Sequence, residues 1–249
     1  MDVQDAFKAT CRVLLRGEVG ELSDFEPYLM RYVEKVLPAK SALSGQPLSL
    51  SCTEFAPGSK FISHKEMEEY NKRLRSAKLD INSIKDVDSA VSALGEQLYY
   101  CGDIITGNSQ EVRASDSIAD SSHVLSCSEI YNCKFMAYSS ILRYCENCFG
   151  TSSGGESKYM IQCYEVFQQT RCMETFRAYT SNDCYYSATL ENCNDCIFSF
   201  NQRAKRNLIG NRPFSPPEFQ KLKTKLVDDL RATLADRKAL PSIIDLLRD

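Results

Sequence analysis

A six-residue pattern of small and apolar residues runs through the middle of the chain, from Gly107 to Gln202. In blocks of six it begins GNSQEV, RASDSI, ADSSHV, LSCSEI and continues for sixteen blocks without an insertion. The third position is Ser, Cys or Thr in fifteen blocks, with Gln169 as the exception, and the sixth is apolar except at Gly154 and Gln202. Six is not a helical period, and such fixed self-similarity is typical of stacked short strands. The pattern therefore predicts a β-solenoid.

The positions within a block indicate how the coil is built. Positions three and six are an odd number apart, so a bend must separate them if both point inward. Three blocks per coil give a triangular, single-stranded β-helix with coils of 18 residues, and hence about five coils. Residues 18 apart then stack, which predicts an internal structural column that contains Cys127, Cys145, Cys163 and Ser181. In that column we expect cysteine to replace serine as a small buried residue.

Helical patterns flank the repeat and give an α+β fold class. Before the repeat, apolar spacing and capping signals predict helices over residues 2–16, 23–37, 63–76 and 86–100. After the repeat, Ser215 and Glu218 form a capping box that begins a helix over 216–237, and Pro241 precedes a short last helix. The predicted organisation is a helical region at 1–105 with a loop at 39–60, a β-solenoid at 106–214, and C-terminal helices at 215–249.

Composition narrows the function classes. The 249 residues are 43% hydrophobic and 25% charged, with a net charge of −3, which excludes a disordered or strongly basic chain. No apolar run approaches the roughly 18 residues of a membrane span, and Met1 to Lys8 lacks a signal-peptide pattern. We therefore expect an intracellular, cytoplasmic protein with reduced thiols and no membrane partner.

The cysteines raise the question of a metal site. Nine of the twelve lie between Cys127 and Cys196, and two C-x-x-C pairs, Cys145/Cys148 and Cys193/Cys196, could in principle hold zinc. The two pairs stand about 44 residues apart, which exceeds the usual zinc-ribbon spacing. Both pairs also follow the six-residue repeat, so packing explains them without a metal. We expect no metal and no cofactor.

The six-residue period resembles that of hexapeptide-repeat proteins, a left-handed β-helix family. The likeness covers about 96 residues, but here the apolar residue precedes the small one by three positions, whereas that family has four. The family includes acyltransferases, nucleotide-sugar enzymes and gamma-type carbonic anhydrases, which are commonly trimers. Separately, the stretches 191–196, 207–211 and 219–222 look like the end of Cys-rich solenoid repeat proteins from phage and uncultured microbes, which carry no assigned activity.

Two sets of residues are candidates for chemistry. The resemblance implies an acyltransferase that uses a histidine base at a subunit interface, and His123 stands at an outward position of its block. An ordinary solvent-facing role for His123 is the favoured interpretation. Arg203, Lys205, Arg206 and Arg212 form a basic patch that could contact phosphate or a partner, while the acidic total charge argues against nucleic acid.

The leading hypothesis is a non-enzymatic structural or assembly protein. In it, a rigid solenoid scaffold associates with itself or docks into a larger complex such as a shell or virus-like particle. Aromatic residues at outer positions would serve as interface anchors, or some of them would pack under the flanking helices: Tyr131, Phe149, Phe167, Tyr179 and Tyr185. The alternative is a hexapeptide-type acyltransferase that uses His123, and the second alternative is a nucleic-acid-associated protein. The expected partners are other copies of the chain or other protein subunits.

Overall fold

The computed structural model describes residues 1–52, 54–55, 58–76, 82, 84–95 and 97–246. It confirms an α+β fold in which a β-solenoid of about 9 turns is flanked by N- and C-terminal helices. The helices of four residues or more are α1 (Val3–Leu15), α2 (Glu26–Leu29), α3 (Met67–Ser76), α4 (Val87–Gly95), α5 (Pro216–Arg237) and α6 (Ile243–Leu246), with 3-10 helices at Leu22–Phe25 and His64–Glu66.

Two small sheets precede the solenoid. They contain β1 (Leu37–Lys40) with β2 (Pro47–Leu50), and β3 (Lys60–Ser63) with β4 (Tyr99–Gly102). The solenoid strands are β5 (Ile105–Thr106), β6 (Gln110–Arg113), β7 (Asp116–Ala119), β8 (Ser122–Leu125), β9 (Ser128–Tyr131), β10 (Lys134–Ala137), β11 (Ser140–Arg143), β12 (Glu146–Phe149), β13 (Ser152–Gly155), β14 (Lys158–Phe167), β15 (Thr170–Tyr179), β16 (Tyr185–Glu191), β17 (Asn194–Ile197), β18 (Phe200–Arg203), β19 (Arg206–Ile209) and β20 (Arg212–Pro213).

The coil contains two blocks, and the prediction of an 18-residue triangular coil was wrong. Lys134 on β10 pairs in parallel with Ser122 on one side and Glu146 on the other, so each coil advances by 12 residues. Positions two and five of the blocks adopt left-handed backbone angles, as at Glu129 (φ 55°) and Asn132 (φ 54°). The chain bends at each of these positions, which brings positions three and six inside and closes the coil after two blocks.

The position-three side chains link consecutive coils through hydrogen bonds. The Ser187 hydroxyl donates to the Tyr185 carbonyl at 2.9 Å and accepts the backbone N–H of Ser199, one coil later, at 3.1 Å. A cysteine can take the same place, since the Cys133 sulfur accepts the Cys145 N–H at 3.3 Å. Buried amides require such partners. Position three therefore needs a side chain that is small, as predicted, and that can also form hydrogen bonds. Ser, Thr and Cys meet both conditions.

The 12-residue coil also corrects the predicted structural column. Cys127, Cys145, Cys163 and Ser181 are all buried in the solenoid interior, as expected. Residues 12 apart stack, however, so the four divide between two columns. Cys145 and Ser181 share one column, and Cys127 and Cys163 share the other.

Replacing Ser187 tests the hydrogen-bonded ladder. We expect Ser187→Ala to lower the free energy of unfolding by about 1–2 kcal/mol, because the Ser199 amide loses its acceptor in a buried place. Ser187→Cys keeps a donor and an acceptor, so it should cost clearly less. Urea unfolding with an unchanged m-value measures both changes. Equal losses for the two variants would show that the hydroxyl acts only by filling space.

Helices from both ends of the chain cover one edge of the solenoid. Helices α1 and α5 pack on a column of first-position residues that includes Phe149, Met173 and Tyr185. Of the five outer aromatic residues, Phe149 and Tyr185 are 0% and 2% exposed because these helices cover them, so these two have the packing role rather than that of interface anchors. The capping box of Ser215 and Glu218 is present, and α5 spans the predicted residues.

The N-terminal region differs from its prediction in three places. The helix predicted over 23–37 is a 3-10 helix at Leu22–Phe25 followed by the four residues of α2, and Phe25, Tyr28 and Leu29 pack in the core against the solenoid. The predicted loop at 39–60 contains β2 and the last two residues of β1, and these two strands form an antiparallel pair. The helix predicted over 86–100 ends at Gly95, and β4 follows. Parts of these predictions, and of the predicted C-terminal helices, lie outside the described residues, namely residues 53, 56, 57, 96 and 247–249.

Candidate functional site

The edge of the solenoid opposite α1 and α5 presents a straight column of side chains, which we call the open edge. It consists of the first-position residue of alternate blocks, in the order Tyr131, Arg143, Gly155, Phe167, Tyr179, Glu191 and Arg203. Each of these residues is directly registered with the next by parallel strand pairing. Neighbouring strands are spaced by roughly 4.8 Å, so the column has one side chain per coil at a regular interval.

The open edge carries exposed aromatic rings. Tyr131, Phe167 and Tyr179 are 39%, 41% and 44% exposed, and the adjacent Tyr144 is 54% exposed. Tyr131 and Tyr144 make an edge-to-face contact with ring centroids 5.7 Å apart. Exposed tyrosine and phenylalanine beside arginine are characteristic of protein–protein interfaces, where they supply rigid contact area.

A notch of about 430 Å³ interrupts the column at two consecutive glycines, Gly154 and Gly155. Tyr144, Arg143 and Phe167 are among the residues that line it. A Cβ atom at Gly155 would approach the Phe167 ring to 3.2 Å, so Phe167 already leans over the glycine. The missing side chain of Gly155 leaves a shallow recess beside the Tyr144 and Phe167 rings, whereas Gly154 lies at an inward position, where a Cβ would approach Leu142 and Val166 to 3.1 Å.

Charged pairs repeat along the surface at the spacing of one coil. Glu165 pairs with Arg177 at 2.7 Å, and Glu191 pairs with Arg203 at 3.1 Å. All four side chains are substantially exposed, so each pair contributes little to stability, about 0–1 kcal/mol. Within the described part of the chain, the exposed Arg143 has no ion-pair partner. The open edge therefore carries charges that remain accessible to a partner.

The predicted catalytic candidate His123 lies elsewhere, at a pocket of about 360 Å³ between the start of α1 and strands β6 and β8. Glu111, Arg113 and Tyr138 also line this pocket. The His123 ring stacks on Phe135 with centroids 4.7 Å apart and planes 10° apart. Among the described residues, no side chain forms a hydrogen bond that would fix the tautomer of His123, as a general base requires.

The four cysteines considered for zinc are buried in the solenoid interior, and all twelve cysteines are free thiols. Residues 1–52, 54–55, 58–76, 82, 84–95 and 97–246 contain no group of three or more His, Cys, Asp or Glu residues that could hold a metal ion. Burial raises the pKa of the Cys127 and Cys163 thiols to about 12, which keeps both protonated and unreactive near neutral pH.

The predicted basic patch lies on the last coil, where Arg203, Lys205, Arg206 and Arg212 are all exposed. Arg203 belongs to the open edge and pairs with Glu191. The charge of the patch is therefore partly offset where it adjoins the open edge.

Sequence reasoning missed one buried polar centre, Glu174. Its carboxylate accepts hydrogen bonds from the Tyr28 hydroxyl at 2.7 Å, the Ser242 hydroxyl at 3.0 Å and the Ile243 N–H at 2.7 Å. Burial raises the pKa of Glu174 to about 7, against the lowering effect of these hydrogen bonds. Glu174 occupies the same block position as the exposed Glu156, so no local signal marks it. Because its carboxylate oxygens bond to its own chain, its role is to join both terminal segments to the solenoid.

In the part of the chain that the structure describes, no helix has the length and apolar character needed to cross a membrane. Comparisons with protein-family models, with curated proteins and with solved structures find no match to this chain.

Proposed function

We propose that the protein is a non-enzymatic scaffold, a rigid β-solenoid that binds protein partners through its open edge and thereby assembles with itself or into a larger complex. The observation that carries this proposal is the regular column of exposed aromatic and charged residues opposite the helix-covered edge. Stacked coils hold these side chains at fixed spacing, so a partner meets a preorganised surface and the entropy cost of ordering it is small.

The same proposal places the protein in a reducing compartment such as the cytoplasm. Its support is the set of twelve free thiols, nine of them in the repeat. Disulfides are rare in reducing compartments, and the buried cysteines here act as hydrogen-bonding and space-filling residues in place of serine. Oxidation to disulfides is not needed to hold the coils together.

A second candidate function is acyl transfer at the pocket that contains His123. The observation in its favour is that His123 shares this pocket with Glu111 and Tyr138, two further side chains able to exchange protons. The stacking of His123 on Phe135 and the missing orienting partner in the described residues favour the scaffold.

Site-specific photo-crosslinking in the producing cell distinguishes the two. A photoreactive residue at Phe167 should give discrete protein adducts, whereas the same residue at Leu222, exposed on α5, should give few or none. His123→Ala should leave the Phe167 adducts unchanged. Adducts at Leu222 alone, or acyl-CoA consumption by the purified protein that His123→Ala abolishes, would contradict the scaffold proposal.

A further inference from the structure

We propose that the last coil of the solenoid and the first turns of α5 bind the phosphate backbone of a nucleic acid. We call this surface the basic end, and its cations are Lys205, Arg206, Arg212, Lys221 and Lys225. The inference goes beyond the proposed scaffold function and does not depend on which protein meets the open edge.

Positive charge is concentrated in one short segment of the chain. Residues 200–225 contain seven Lys or Arg residues and one acidic residue, Glu218, which gives a net charge of +6. The whole chain carries −3, so the remaining residues together carry −9. Charges farther apart than roughly 8 Å are largely screened at physiological salt, so a ligand at this end responds to the local charge rather than to the total. The acidic total charge therefore does not exclude a polyanion here.

Five of the seven cations are free to meet a ligand. Arg203 pairs with Glu191 at 3.1 Å, and Lys223, whose side chain is only 16% exposed, pairs with Asp195 at 2.7 Å. The five cations of the basic end are exposed, and among the described residues none of them has an ion-pair partner. Lys205 takes an inward position of its block, but its side chain is exposed because it belongs to the last coil.

Three elements hold these cations at one end of the molecule. Arg206 lies on β19, which pairs in parallel with β17, and Arg212 lies on β20, which turns back to pair with β19. Helix α5 contacts β19 and is fixed to the solenoid by Phe219, which is 0% exposed, and by the ion pair of Lys223 with Asp195. A surface held by strands and a packed helix is preorganised, so little entropy is lost when it binds a ligand.

The composition of the basic end favours a nucleic acid over a protein partner. Protein interfaces are centred on aromatic anchors and are depleted in lysine, whereas nucleic-acid interfaces are polar and strongly positive. Between residues 203 and 225 the aromatic rings are those of Phe214, which is half-buried, and Phe219, which is buried. Three of the five cations are lysines, and the two arginines can each bind a phosphate through two N–H groups. The basic end thus differs in kind from the aromatic open edge.

A second copy of the chain does not offer a matching acidic surface. Most acidic residues of the solenoid already bond within their own chain, as Glu146, Glu165 and Asp183 do in ion pairs. Asp116 and Asp120 accept backbone N–H groups at 2.7 Å and 3.0 Å instead. A nucleic acid duplex carries one charge per roughly 1.7 Å of its axis and releases condensed counterions when cations replace them. Its backbone is therefore the better complement to the basic end.

Contact with phosphates alone gives binding a characteristic salt dependence. Five phosphate contacts predict a slope of about −4 for the logarithm of the association constant against the logarithm of the salt concentration. We expect a dissociation constant of about 1 µM at about 50 mM salt, weakened by roughly 80-fold at about 150 mM. Because the segment presents no fully exposed ring for bases to stack on, duplexes of different sequence should bind alike.

Fluorescence anisotropy of a labelled random-sequence duplex of about 24 base pairs, titrated with the full-length protein, tests the inference. Arg206→Gln with Arg212→Gln should raise the dissociation constant roughly tenfold or more at about 50 mM salt and reduce the magnitude of the salt slope by about 2. The matched control is Lys35→Gln with Lys134→Gln, which changes the total charge equally. Lys134 occupies the same column as Arg206, roughly 30 Å away, so the control should bind within about twofold of the unchanged protein. All four side chains are exposed, and circular dichroism checks that both variants are folded.

Three outcomes would overturn the inference. The first is no change in anisotropy up to roughly 100 µM protein at about 50 mM salt. The second is an equal loss of binding in the control variant, which would mean that total charge rather than the basic end governs binding. The third is a labelled polyglutamate peptide of equal charge that binds as tightly as the duplex, since an acidic protein would then be the better partner. Photo-adducts at residue 167 report separately on the scaffold function, and neither pair of substitutions should change them.

Discussion

Replacing Cys145 with Asp should unfold the solenoid. Cys145 is 2% exposed, its thiol donates to the Arg143 carbonyl at 3.3 Å, and its backbone N–H donates to the Cys133 sulfur. A carboxylate there would have no cationic partner among the described interior residues, and burial of an unpaired charge costs several kcal/mol. The expected loss is more than about 4 kcal/mol, a large fraction of the total stability of a typical domain.

The matched control for this change is Cys145→Ser. Serine occupies the same column at Ser157 and Ser181, and Ser181 accepts the backbone N–H of Cys193 at 3.1 Å. We therefore expect Cys145→Ser to change the free energy of unfolding by less than about 1 kcal/mol. Circular dichroism during urea unfolding measures both variants under reducing conditions. A Cys145→Asp protein as stable as the serine variant would mean that this side chain does not face the interior.

The sequence predicted the solenoid and its inward positions but not the length of the coil. A six-residue period is compatible with two or with three blocks per coil, because both place every third and sixth position inside. In the structure, left-handed backbone angles at positions two and five close the coil after two blocks. Residues as different as Asn132, Phe135 and Ile141 occur at these positions. Phenylalanine and isoleucine do not favour that conformation, so nothing in their identity signals the bend.

The open edge was only partly predictable for the same reason. Outward aromatics were identified correctly at Tyr131, Phe167 and Tyr179, but Phe149 and Tyr185 were grouped with them. With a 12-residue coil, first-position residues alternate between two edges, and helices α1 and α5 cover the edge that contains Phe149 and Tyr185. Which edge is covered depends on long-range packing of the two chain ends. A six-residue pattern within the repeat does not contain that information.

Among polar residues outside the hydrogen-bonded column of position-three side chains, Glu174 should contribute most to the free energy of unfolding. In Glu174→Ala the Tyr28 hydroxyl, the Ser242 hydroxyl and the Ile243 N–H lose their shared acceptor in a buried place. Losses of about 1 kcal/mol or more for each group give an expected destabilisation of about 3 kcal/mol or more. Glu174→Gln is the control. Its amide nitrogen can donate to the Tyr28 oxygen while its carbonyl accepts from Ser242 and Ile243, as a protonated carboxyl does.

The same two variants test how the free energy of unfolding depends on pH. Burial raises the Glu174 pKa from 4.5 to about 7, so between these values the folded protein holds a proton that the unfolded chain has released. Stability therefore falls as pH rises through this window, by about 3 kcal/mol from Glu174. Glutamine does not titrate, so the difference in unfolding free energy between wild type and Glu174→Gln should change by that amount from pH 4.5 to 7.5. The subtraction removes the contributions of all other titrating groups, which both proteins share. A difference that stays constant with pH would show that Glu174 is ionised in the folded protein throughout the window, with a cation or solvent reaching it.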